Sequence, residues 1–281
     1  MHARLVVLFI VSLTPVFNGA ALSGPILKGG SDAPWGAFPS AAFIRTPFLS
    51  FCGAAVVHPD FVLTLAQCVY DEEQLIPIQP NQIEVIAGDR NIVSVSIERQ
   101  ERNVLEVIIH PNYTAYNHQN DIALLKLDRP LEMPSNTVET IVRRHRIVPD
   151  GSICELPGWS MERVSSSSLT EADQKYTTVK MLDRDICNQA NIHAGRVRES
   201  MVCGGNLLSS TNAVCSGNLG CPLYCEEELT GLLSFGVNCG APNDPPVFTQ
   251  QSTVRETRED RTRKHLLFTT ANGSVMDRIS N

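Results

Sequence analysis

The chain has 281 residues, of which 43% are apolar and 19% charged, and its formal net charge is −7. That size and composition suit one large domain, or two fused halves, burying a sizeable core. The acidic balance excludes the basic footprint of a nucleic-acid-binding protein, and no apolar run is long enough to span a bilayer.

His2 and Arg4 precede the apolar run LVVLFIVSL (5–13) and a small-residue stretch, the pattern of a secretory signal peptide over residues 1–21. Small residues permit cleavage after Ala21 or after Ser23, and residues 22–26 then form a short pro-like segment. A secreted, extracellular protein is expected. On that route the nine cysteines imply disulfides with one thiol left over. Asn112 and Asn272 each open an Asn-X-Ser/Thr pattern, so both are candidate glycosylation sites.

Short β-type runs follow at regular spacing: AAFI (41–44), AAVV (54–57), FVLTLA (61–66), IEVIAG (83–88), VLEVII (104–109) and IALLKL (122–127). His-Pro-Asp, Gly-Asp-Arg and His-Pro-Asn turns separate them. A second series runs from SICELPGW (152–159) through TTVKML (177–182) to TGLLSFG (230–236). The class is all-β, in two runs, with barrels or sandwiches as the architecture. The serine-rich stretch 164–173 reads as an exposed loop, and no internal repeat is evident. Residues 251–281 change character: RETREDRTRK (255–264) mixes both signs without an apolar face and reads as an atypical charged tail. The seven histidines are scattered, and YDEEQL (70–75) reads as an exposed acidic loop. No metal and no cofactor is expected.

Six motifs then arrive in one order: GGSDAPWGAFP (29–39), FCGAAVVHPDFVLTLAQC (51–68), NDIALLKL (120–127), LPGW (156–159), CSGNLGCPLYC (215–225) and LSFGVNCG (233–240), with PPVFT (245–249) behind them. Together they resemble the chymotrypsin/trypsin family of serine proteases across residues 27–250. The resemblance implies two six-stranded Greek-key β-barrels with a cleft between them, at about 27–145 and 146–250. It also implies a catalytic triad, in which a hydroxyl attacks, an imidazole takes its proton and a carboxylate orients the imidazole. The matching positions here hold Leu219, Gln67 and Asp121. Leucine has no nucleophilic atom, and an amide is no base near neutral pH. Loss of the serine or the histidine alone typically costs about a million-fold in turnover. The expectation is therefore a catalytically degenerate homolog, of the kind secreted by arthropods. In it Gln67 donates its amide to Asp121 as a structural pair.

Other positions carried over from the family also depart from it. The junction before the domain is Ile26–Leu27 with no basic residue, and the residue that would pair with a freed N-terminus is the uncharged Asn218. Gly217 stands at the oxyanion-hole position. The specificity-pocket positions are Ala213 at the base, Ser234 and Gly236 on one wall and Pro246 on the other, so the base holds no carboxylate and the far wall is narrowed. The resemblance pairs Cys52–Cys68, Cys154–Cys225, Cys187–Cys203 and Cys215–Cys239. Cys221 is left over, as an inert thiol, an inter-chain bridge or, least expected, a nucleophile. The implied function is a non-catalytic binding or regulatory partner of a protease, zymogen or inhibitor, such as a cofactor in an extracellular cascade of innate immunity. The alternatives are a sugar- or cell-surface-binding module and a residual hydrolase.

Overall fold

The computed structural model describes residues 27–250 apart from short stretches at 29, 48–50, 72–73, 160–161, 166–167, 172, 209–212, 215–217, 237 and 239–240, together with two short paired strands at Thr269–Thr270 and Gly273–Ser274. The expected signal and pro-like segments, most of residues 251–281, and the expected roles of Asn272, Gly217 and the Cys215–Cys239 pair lie outside the described residues.

Six strands close the first barrel: β1 (Ala41–Arg45), β2 (Cys52–His58), β3 (Phe61–Thr64), β4 (Glu84–Ala87), β5 (Gln100–Ile109) and β6 (Ala123–Leu127). Around it the order is β6-β3-β2-β1-β4-β5, every pair antiparallel. The fourth strand returns beside the first of a three-strand meander, which is the Greek-key connection. The second barrel uses β7 (Ile153–Trp159), β8 (Gln174–Leu182), β9 (Met201–Gly204), β10 (Pro222–Cys225), β11 (Glu228–Phe235) and β12 (Val247–Gln250) in the order β7-β10-β11-β12-β9-β8, closed by β7 against β8. Written from each barrel's first strand, the two orders are the same. The chain thus repeats its topology without repeating its sequence, because different residues satisfy the same inside/outside alternation.

β5 shows that alternation: Arg102, Val104 and Ile108 are buried while Glu101, Asn103 and Leu105 face out. Ile44, Leu63, Val85 and Leu124 belong to the first core; Leu156, Val179, Leu223 and Phe248 to the second. β9 and β10 were not evident as strands in the sequence, since MVCG and PLYC are short and carry Gly, Pro or Cys rather than a periodic run. The serine-rich stretch expected to be a loop instead pairs on itself, Glu162–Ser165 against Ser168–Glu171.

Two short N-terminal strands cross to the second barrel. Ser31–Asp32 adds to the edge of β8, and Leu27–Lys28 pairs with Val214–Ala213. The first residues of the domain, reckoned with the first half in sequence, are thus stitched to the second.

Candidate active-site cleft

The cleft forms where β2 meets the loop before β10. Gly53 N–H donates to the Leu219 carbonyl at 2.7 Å, Gly220 N–H donates to Leu233 O at 2.8 Å, and Leu233 N–H returns to Cys221 O at 3.0 Å. Gly220 has φ +82°, and a Cβ there would run into the Gly53 carbonyl. A Cβ on Gly53 would strike the Cys221 backbone. Two glycines therefore let one barrel's strand lie directly against the other barrel's loop. Leu219 is half-buried and packs against the first barrel's core.

Asp121 is fully buried, two residues before β6. Its Oδ1 accepts from Gln67 N–H at 2.9 Å; its Oδ2 accepts from the Gln67 side-chain amide and from Ser234 Oγ at 2.7 Å. The Gln67 amide also donates to Ser234 O at 3.1 Å. The Cys52–Cys68 disulfide ties the Gln67 loop to β2. Burial raises the Asp121 pKa; hydrogen bonds from the Gln67 backbone, Ser234 and the Gln67 side chain, and the nearby His118, pull it back in part. Gln67 presents an N–H donor where a base would need a lone pair, so the group facing the carboxylate holds it and takes no proton from elsewhere.

Ser234, placed by sequence in the specificity pocket, is 1% exposed and turned to Asp121. Ala213 lies in the strand paired with Lys28. Gly236 has φ +77°, and a Cβ on it would press on the Pro245 carbonyl; Pro246 is also tight against Gly205. Behind this wall His193 is buried. Its Nε2 lies 2.8 Å from Pro245 O, its ring packs edge-on to Phe235, and Asp244 stands 3.9 Å from Nδ1. His193 sits 52 positions from Pro245, so no local sequence signal marks it as the brace of that wall.

Asn218 is buried, and its Oδ1 accepts from Trp159 N–H at 3.1 Å. Cys221 is fully buried, its thiol pKa pushed up by desolvation. This corrects the expectation of an inter-chain bridge: another chain's sulfur cannot reach a group with no exposed surface. Burial also keeps it a thiol rather than a nucleophilic thiolate. The disulfides Cys52–Cys68, Cys154–Cys225 and Cys187–Cys203 form as the resemblance implies. Asn112 is exposed on the turn between β5 and β6. Among the described residues no group of three or more His, Cys, Asp or Glu is placed to hold a metal ion. No described helix is long and apolar enough to cross a membrane.

The family model described as Trypsin matches residues 27–257. Serine protease 1 of Rattus norvegicus is 27% identical over 240 residues, covering 83% of this chain and 90% of that protein. Trypsin-1 of Salmo salar is 30% identical over 235 residues, 82% of this chain and 90% of that protein. Transmembrane protease serine 5 of Homo sapiens is 31% identical over 267 residues, 92% of this chain and 56% of that protein.

Proposed function

The chain belongs to the trypsin family of serine proteases, and from that premise we propose that it is a secreted binding or regulatory partner that performs no triad hydrolysis. One observation carries the reading: a glutamine, not an imidazole, meets the buried carboxylate, and its amide is engaged by both Asp121 and Ser234 O. With Leu219 at the nucleophile position, no group in this arrangement can form or relay an acyl-enzyme. The oriented carboxylate serves to seat a loop. The apolar leader and the disulfides support secretion.

What remains for such a frame is shape. Family surface loops around a blocked cleft suit recognition of a protease, a zymogen or an inhibitor, as in a cofactor of an extracellular cascade such as innate immunity. The test has two arms. The purified protein is first incubated with a broad peptide library; sustained turnover abolished by neither chelator nor contaminant removal would end the non-catalytic reading. It is then used for cross-linking capture from its native secretion, beside a catalytically active relative. Recovery of an identified protease, zymogen or inhibitor is expected. Recovery of glycans or cell-surface material alone would move the assignment to a ligand-binding module.

A further inference from the structure

The connector between the barrels contains Val142-Arg-Arg-His-Arg-Ile-Val148, rich in arginine and ending on two aliphatic residues. Its two ends are fixed. Upstream, Leu229 N–H donates to Val142 O and Arg144 N–H donates to Leu229 O, both at 2.9 Å, which lays this end along β11. Arg144 is 4% exposed and is held by Cys225 O, Glu226 and Glu228. Downstream, Val148 is buried in the second barrel's core, and Gly151 N–H donates to Met181 O.

Between these anchors His145, Arg146 and Ile147 stand out from the surface. Ile147 is 83% exposed and the Arg146 side chain 67%. None of the three donates its backbone N–H to a backbone carbonyl among the described residues. Among the described residues Arg146 is restrained by rim ion pairs to Glu226 at 3.3 Å and Glu228 at 3.6 Å, a kind of contact worth little in water. A short exposed segment without backbone pairing, held at both ends, is where a folded chain can enter a protease cleft in extended form. Neighbouring arginines are poorer targets: Arg99 and Arg144 are buried, and Arg129 is followed by Pro130.

We propose that Arg146–Ile147 is a processing site for an extracellular protease specific for basic residues. In the step, water supplied in that protease's active site hydrolyses the Arg146–Ile147 peptide bond. The products are a carboxylate on Arg146 and an ammonium on Ile147, with no change of oxidation state. Cys52–Cys68 lies wholly before the bond; Cys154–Cys225 and Cys187–Cys203 lie wholly after it. The cut therefore converts the protein into two chains with no covalent link between them, held by the Gly53–Leu219 contact, the Arg144–β11 seam and the pairing of Leu27–Lys28 and Ser31–Asp32 with the second barrel. The proposal goes beyond the reading above and does not rest on it, since it uses neither the cleft nor Leu219.

The test is limited proteolysis of the intact secreted protein with a trace of purified trypsin, beside an arm without added protease. The expected early product is a new N-terminus beginning Ile147. Its two halves separate on a non-reducing denaturing gel and co-elute on native size exclusion. Cuts in the basic stretch 255–264 shorten the C-terminus and do not create that N-terminus. Arg146→Gln should abolish the product. Ile147→Pro should do the same while leaving Arg146 and its ion pairs in place, which covers the case of an Arg146→Gln chain that fails to fold. The proposal is overturned if the folded protein loses its tail without yielding Ile147, or if either folded variant still splits there. Appearance of the Ile147 fragment in the arm without protease would support the site and overturn the non-catalytic reading.

Discussion

Asp121 sets the chemistry at the residue scale. Because burial raises its pKa, the native state holds this proton more tightly than the unfolded chain does. Stability from this group is fullest below the ordinary carboxylate range and is lost as pH rises toward the raised native value. The Gln67 hydrogen bonds offset that loss for the anion. Gln67→Ala removes the side-chain donor and should lower stability by about 1–3 kcal/mol near neutral pH, with a smaller loss in acid, where the proton is bound in both states. Denaturant unfolding of both proteins across pH measures the difference; an equal loss at every pH would contradict the account. A second outcome separates nucleophile from base. Leu219→Ser alone should show no hydrolysis of activated esters, because Gln67 cannot accept the serine proton, whereas Leu219→Ser with Gln67→His should gain slow turnover. Labelling by a fluorophosphonate probe follows both.

The pairing of Gln67 with Asp121 was legible in the sequence, because both stand in motifs whose order is unmistakable. Ser234 as a third member was not: it lies 113 positions from Asp121, and only closure of both barrels brings them together. His193 was passed over for the same reason. Long-range polar contacts leave no periodic trace, unlike an apolar face.

Among the elements, the meeting of β2 with the loop before β10 is the tightest place described. Gly53→Ala should cost about 1–3 kcal/mol, the usual penalty for overpacking, because the added methyl meets backbone rather than a side chain that can swing away. Thermal unfolding of the variant reads this directly, and a neutral result would mean the barrels can slide apart at this contact. Strands with long aliphatic runs, such as β3 and β6, were plain from composition. β9 and β10 were not, since barrel closure rather than propensity holds them extended.

Across the whole molecule the disulfides divide the labour unequally. Cys154–Cys225 spans 71 residues, whereas Cys52–Cys68 and Cys187–Cys203 each span 16. A longer closed loop removes more unfolded-state entropy, so replacing Cys154 and Cys225 by serine should destabilise by about 1 kcal/mol more than replacing Cys52 and Cys68. Paired denaturation curves decide it. The two-barrel architecture was readable through the motif order, while the identical strand order of the halves was not, because topology is a property of pairing and not of residue identity.

The stitching of Leu27–Lys28 and Ser31–Asp32 to the second barrel bears on how the protein is made. Within the domain these residues are translated first, yet of the partners they pair with, Ala213–Val214 come near its end. The first barrel can close behind them as soon as β6 emerges, since all six of its strands come from one half. The Leu27–Asp32 strap must stay unpaired until its partners are made, and its docking marks completion of the second barrel.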